Sequence, residues 1–248
     1  MSVQTADNSR ASEERVAQDN QASATRALPP LQPGDFLTRA EFERRYHAHP
    51  EIKKAELIEG IVYMPSPVSA GRHGDPHFDM ITWLGVHRAS VPGLRGSDNA
   101  TLRLDNLNDP QPDALLRLDA EHGGGSRLDE EGYLEGPVEF ILEIAASSAS
   151  YAMNQKKAVY ARHGIQEYLV VLTHEQRVAW FALRDRGYEE LVPGQDGILR
   201  SEIVPGLWLL PAAIWTNDLA AMLSTLQRGV ASPEHAAFVD SLSTMQAP

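Results

Sequence analysis

Cysteine is absent from the 248 residues. That excludes disulfides, thiolate metal sites and a cysteine nucleophile, and it fits a cytoplasmic setting. No run of about 18 apolar residues occurs, so no membrane span is expected. The N-terminus lacks the apolar core of a secretion signal. Positive charge is in short supply, with 22 Lys and Arg against 34 Asp and Glu and a formal net charge of -12. Such a balance disfavours a broad electrostatic grip on nucleic acid. A local basic groove, or a metal ion that supplies the positive charge, escapes that objection. Aromatic residues make up only 7% of the chain, which gives little sign of a sugar-stacking cleft.

What is present suits one sizeable domain with tails. Residues 1–34 are rich in small and polar side chains, end in "LPPLQPG", and read as disordered. A short helix over "ASEERVAQ" is the alternative. Residues 35–216 read as the domain, and 217–248 as a C-terminal helix with a loosely held tail from about Ser232. "LTRAEFERRYHAH" predicts a helix, with Thr38 and Glu41 at capping-box spacing and Phe42 and Tyr46 on one face. "AELIEGIVYMPSP" predicts two short strands around a turn at Glu59-Gly60. A helix follows over about 75–90, with Phe78, Ile81 and Leu84 facing the core and Trp83 at the border. "ATLRLDN" and "PDALLRL" read as strands, and "EHGGGSRLDEEGYLEG" as a flexible polar loop. "VEFILEI" and "EYLVVL" carry the dense apolar character of buried strands, with a helix over about 151–163 between them, as in a βαβ crossover. "RVAWFAL" and "GYEELV" continue as a hairpin system. The order of elements gives an α/β (α+β) fold, a central mixed sheet flanked by helices.

Three acidic and basic positions converge in that reading. Asp113 follows Pro112 at the opening of a strand. Glu143 lies inside "VEFILEI", where a bare carboxylate costs several kcal/mol unless something pairs with it. In alternation it shares a face with Glu139, Ile141 and Ala145. On the helix "YAMNQKKAVYARHG", Lys156 falls near the middle of an apolar stripe of Ala152, Met153, Val159 and Tyr160, with Lys157 at its border. A lysine is seldom centred on a buried face without a partner. Two carboxylates and a lysine at a sheet edge suit a divalent cation with oxygen ligands. Such an ion polarises a phosphorus centre and activates water, while the lysine steadies developing charge. The plainer alternatives are a turn Asp, a solvent-facing Glu and a snorkelling Lys.

"AELIEGIVYMPSP", "QPDALL", "VEFILEIAASS" and "KKAVYARHGIQEYLVV", in that order over about residues 36–210, resemble the Uma-type restriction-endonuclease family of the PD-(D/E)XK nuclease superfamily. The resemblance implies a restriction-endonuclease-like core and a Mg²⁺-dependent site, with Mn²⁺ as a substitute, acting on phosphodiester bonds in DNA or RNA. Asp113 then matches the acid of the PD motif and Glu143 the next acid. The lysine expected two residues later is Ala145 here. The family commonly supplies it from the following helix, four residues before a tyrosine, which is Lys156 before Tyr160. Glu56, ahead of Glu59, is the candidate to complete the metal's surroundings. His77 matches a helix-start histidine, with His73 as a competitor. Two stretches depart from the family pattern: the turn "AASSAS" lacks the proline often found there, and "YAMNQ", between that turn and the lysine, lacks the acidic residue often found there.

The leading expectation is therefore a metal-dependent endonuclease. A nuclease fold kept for binding or assembly is the alternative, favoured by the net charge and the altered turn. A two-carboxylate glycosidase is a weaker third, since it needs no lysine in the apolar stripe. Pairing of sheet-edge hairpins into a homodimer stays open.

Overall fold

The computed structural model describes residues 28–65, 69–146 and 148–245. Most of the segment read as disordered, residues 1–27 with its alternative helix, lies outside them. Its end does not behave as expected. Leu31 is buried with Phe42, Ala55, Leu57 and Val62, so order begins before Asp35.

Helix α1 (Arg39–Ala48) stacks Phe42 on Tyr46 as the spacing requires. Its capping box does not form. Thr38 makes no side-chain cap bond, and Glu41 instead accepts from Arg44 and Arg45, whose guanidinium groups outcompete a backbone N–H for the carboxylate. Strands β1 (Glu56–Ile58) and β2 (Ile61–Tyr63) pair antiparallel. Glu59 and Gly60, with φ of 51° and 79°, turn the chain between them, the left-handed pair of a two-residue hairpin.

A wide π turn, Ala70–Gly74, leads into α2 (Asp75–Arg88). The buried stripe of α2 is Met80, Trp83, Leu84 and His87, a mixed three- and four-residue spacing. Phe78 is 70% exposed and Trp83 fully buried, the reverse of the expected face. A strict three-residue spacing from Phe78 drifts around the helix, whereas Trp83 sits edge-on to Phe140 and Trp180 in the core.

The main sheet contains β3 (Leu94–Asp98), β5 (Ala114–Leu118), β8 (Phe140–Ala145), β9 (Glu167–Leu172), β10 (Arg177–Arg184) and β11 (Gly187–Glu190), in the order β11-β10-β9-β8-β5-β3. β8 and β9 are parallel and the other pairs antiparallel, so the sheet is mixed as expected. Three short strands, β4 (Leu102–Arg103), β6 (Arg127–Leu128) and β7 (Leu134–Glu135), form a separate small sheet. Thus only the middle of "ATLRLDN" is strand, and the presumed loop 121–136 supplies its partners. β3 had no clear sequence signal, because an edge strand with exposed Arg95 and Gly96 carries little apolar pattern.

Both faces of the sheet are covered, which explains why β8 and β9 are buried throughout. Phe140, Leu142 and Ile144 face one core with α2, while Ile141 and Ala145 face another with helix α3, which runs through Ala149–Tyr151, a π turn Ala152–Lys156 and Lys157–Arg162. After β12 (Leu199–Arg200), β13 (Trp208–Leu209) and α4 (Pro211–Trp215), helices α5 (Leu219–Val230) and α6 (Pro233–Met245) pack on the α2 side. The tail read as loosely held from Ser232 is thus helical, with Leu242 buried. Among the described residues no helix is long and apolar enough to cross a membrane.

One buried acid holds the far side of the sheet together. Glu167, fully buried, accepts from Trp180 Nε1 at 3.1 Å, Ser201 Oγ at 2.7 Å and the backbone N–H groups of Glu202 and Ile203 at 2.7 and 3.2 Å. Glu167→Ala strips four donors of their acceptor. We expect a loss of about 3 kcal/mol or more in urea denaturation; a loss below about 1 kcal/mol contradicts this role.

Candidate functional site

The pairing Ala114↔Leu142 between β5 and β8, carried one residue further, sets Asp113 opposite Glu143. Directly opposed residues share a face, with Cβ atoms about 4.5–5.5 Å apart. That face is the one α3 covers. The π turn of α3 brings Ala152, Lys156, Val159 and Tyr160 inward together, and such wide turns recur at functional sites. The stripe read from the sequence is therefore the buried face, with Lys156 at its centre.

Lys156 is 3% exposed, and its Nζ lies 2.7 Å from Glu143 Oε1 and 2.7 Å from Glu56 Oε1. Tyr160 donates its hydroxyl to Glu143 Oε1 at 3.1 Å. Gln111 N donates to Glu56 Oε1 at 2.7 Å, which ties β1 to the strand entry. Asp113 accepts the Ile144 N–H on Oδ2 at 2.8 Å, while its Oδ1 faces Lys54 Nζ at 3.4 Å. His73 and His77 both reach the site. His73 Nδ1 bonds the Ile144 carbonyl at 3.0 Å. His77 Nε2 lies 3.2 Å from the Asp113 carbonyl and 3.1 Å from Asp98 Oδ1. Glu59 stands apart at the hairpin tip, half-exposed and paired with Arg162. Glu139 also faces elsewhere, accepting from Leu118 N at 2.7 Å.

Sequence reasoning missed two neighbours. Lys54 holds Asn99 Oδ1 at 2.6 Å beside Asp113; its only signal was its place two residues before Glu56. Tyr151 stacks on Tyr63 at 4.2 Å, and its ring lies 5.5 Å from Lys156 Nζ. Among the described residues its buried hydroxyl has no hydrogen-bond partner.

Burial pushes the Glu143 carboxyl up to about 7; Lys156 opposes the shift, and the like charges of Asp113 and Glu56 add to it. Burial also acts to discharge Lys156, but Glu143 and Glu56 overcome it and hold the ammonium above its ordinary value. The site is thus short of positive charge. Oxygen donors suit Mg²⁺, which takes one or two carboxylates and keeps waters. Among the described residues Glu143 Oε2 has no hydrogen-bond donor, and Asp113 Oδ1 has only the long contacts to Lys54 Nζ at 3.4 Å and His73 Nε2 at 3.7 Å. Those two oxygens are the donors a cation would use. Glu56 takes both Lys156 and Gln111 on Oε1, which anchors the lysine, and its Oε2 has no hydrogen-bond donor among the described residues. Among the described residues no group of three or more His, Asp or Glu is placed to hold a metal ion.

The pairing has a pH signature. An acid whose folded pKa exceeds its unfolded value contributes stability that is complete below the unfolded value, here 4.5, and lost as pH rises through the folded value, about 7. Lys156→Met removes the opposing cation and steepens that loss. The variant should lose about 3 kcal/mol at pH 8 and clearly less at pH 5 in urea denaturation. Equal losses at the two pH values contradict the pairing.

No curated protein matches this chain. The crystal structure of a protein from Anabaena variabilis, described as a putative nuclease belonging to DUF820, is similar at 15% identity and a TM-score of 0.47, over 69% of this chain and 90% of that one. A family model, Uma2, described as "Putative restriction endonuclease", matches residues 39–213. That span includes Glu56, Asp113, Glu143 and Lys156, and it places the chain in the Uma2 family.

Proposed function

We propose that the chain is a Mg²⁺-dependent endonuclease that hydrolyses phosphodiester bonds in DNA, with Mn²⁺ able to substitute. The observation that carries this reading is the opposition of Asp113 and Glu143 across two strands, with Lys156 delivered between Glu143 and Glu56 from a helix. Asp113 Oδ1 and Glu143 Oε2 would hold the ion. When bound, the ion supplies Lewis acidity to the phosphoryl oxygen and lowers the pKa of coordinated water. Lys156 offers a fixed ammonium beside that position, to orient the attacking water or to offset negative charge building on the phosphate. Glu56 and Tyr160 are positioning residues. Glu56 anchors Lys156, and Tyr160 keeps Glu143 Oε1 occupied so that Oε2 faces the ion. His77 donates from one nitrogen to the Asp113 carbonyl and Asp98, which fixes the backbone that carries Asp113.

A second reading, a nuclease fold retained for binding, draws on one specific observation. The Lys156 ammonium is engaged by two carboxylates at 2.7 Å, so it is committed before any substrate arrives. The two readings separate in one experiment. Purified protein should nick plasmid DNA in Mg²⁺, and Asp113→Ala and Glu143→Ala should each cut that rate by on the order of 100-fold or more. RNA serves as the parallel substrate. Cleavage unchanged in both variants contradicts the site; no cleavage by a protein that still binds Mg²⁺ favours the second reading.

A further inference from the structure

Helix α2 turns one face to solvent. At about 100° per residue, Asp75, Phe78, Thr82, Gly85, Val86 and Ala89 fall within a stripe about 100° wide. Met80, Trp83, Leu84 and His87 take the opposite face into the core. In the stripe, Phe78 is 70% and Val86 38% exposed, and Gly85 and Ala89 are exposed as well. Among the described residues, Phe78 and Val86 are the only exposed large apolar side chains that share a helix.

The stripe is self-complementary in shape. Thr82, Gly85, Val86 and Ala89 stand at i, i+3, i+4 and i+7, the corners of a hole that takes one knob from a facing helix. The hole is open, because a Cβ added at Gly85 would have nothing within 4 Å. Phe78, on the same face, is a knob that its own chain leaves exposed. Two α2 helices crossing antiparallel about a two-fold axis near Thr82 set Phe78 of each copy opposite the hole of the other. Knob and hole lie about equally far from that axis, as an isologous interface requires. Charge agrees. The same crossing sets Asp75, in the first turn of one copy, at the height of Arg88, in the last turn of the other. Both residues are exposed, and neither has an ion-pair partner among the described residues; Arg88 Nε donates only to the Leu94 carbonyl, at 3.3 Å. A nucleic-acid strand suits this face poorly, since Asp75 and Asp79 flank Phe78 and repel phosphates.

We infer that this face of α2 is a homodimer interface, with Phe78 of each copy seated in the other's hole of Thr82, Gly85, Val86 and Ala89. The helix has 14 residues and is about 21 Å long, so one such pair covers less than the ~800 Å² per partner of a stable complex. The dimer is therefore reversible, with a dissociation constant on the order of 10 µM. α2 also carries His77, 3.2 Å from the Asp113 carbonyl, so the pairing joins two candidate sites through one pair of helices.

Sedimentation equilibrium of the full chain, with neither metal nor nucleic acid present, tests this. The wild type should pass from monomer to dimer between about 1 and 100 µM. Phe78→Ser removes the knob and Gly85→Leu fills the hole, so each should weaken association about tenfold or more. Both positions face solvent, and Gly85→Leu raises helix propensity. Their urea midpoints at about 1 µM should therefore match or exceed that of the wild type, which separates lost association from lost folding. Arg88→Asp and Asp75→Arg should each weaken the homodimer, and mixing the two variants should restore association, because every crossing then joins opposite charges. A wild type that stays monomeric at about 100 µM overturns the inference. So does a dimer that survives both Phe78→Ser and Gly85→Leu, or a mixture of the charge variants that associates no better than either alone. A monomer in which Phe78→Ser weakens oligonucleotide binding also overturns it and assigns the face to nucleic acid.

Discussion

The Lys156 ammonium, almost wholly buried, is shared by two carboxylates at 2.7 Å, and much of the site depends on that one charge. Each of the three groups is costly to bury alone. Together they join three separate pieces of chain: β1 through Glu56, β8 through Glu143 and α3 through Lys156. The ion pair therefore decides where α3 lies on the sheet face as much as apolar contact does. It also divides the work of the carboxylate: Glu143 spends Oε1 on Lys156 and Tyr160, which leaves Oε2 as the oxygen without a donor among the described residues.

Two π turns serve the same end from opposite sides of the sheet. The turn Ala152–Lys156 delivers the lysine, and the turn Ala70–Gly74 delivers His73. In each case regular α-helix follows the wide turn and supports it. The strands supply the fixed frame. Asp113 Oδ2 accepts the Ile144 N–H at 2.8 Å and His73 Nδ1 bonds the Ile144 carbonyl at 3.0 Å, so both polar groups of one backbone residue at the end of β8 are used to orient site side chains. A small shift of β8 would move Glu143, Asp113 and His73 together.

The residues that could be read from the sequence share a physical reason. Glu143 and Lys156 stood out because each breaks a strong apolar pattern, one in a strand of period two and the other in a helical stripe. Such violations are legible where the surrounding period is strong. The parallel pair β8 and β9 was legible for the same reason. Phe78 and Trp83 were misassigned because the three-residue spacing chosen for α2 was not its true period. β3, β6 and β7 were invisible because short or edge strands bury too few side chains to leave a pattern. Lys54 and Tyr151 join the site through tertiary contact alone. Which histidine approaches Asp113, and by which nitrogen, depends on the width of a π turn that has no sequence signature.

Charge explains how an acidic protein would handle an acidic substrate. Asp113, Glu143 and Glu56 meet Lys156 and Lys54, so the immediate surroundings keep a net negative charge even with both lysines counted. The whole chain adds a formal -12. A phosphodiester approaching that surface meets repulsion at long range and at contact. The lysines offset it only in part, because their ammonium groups already lie against carboxylates. A divalent cation would change the sign of the pocket; burial is the main reason the Glu143 carboxyl is raised, and the like charges of Asp113 and Glu56 add to it. The reading as a cation-dependent site therefore rests on electrostatic need as well as on donor chemistry. Without the ion, the arrangement has a firm reason to fold and none to bind phosphate.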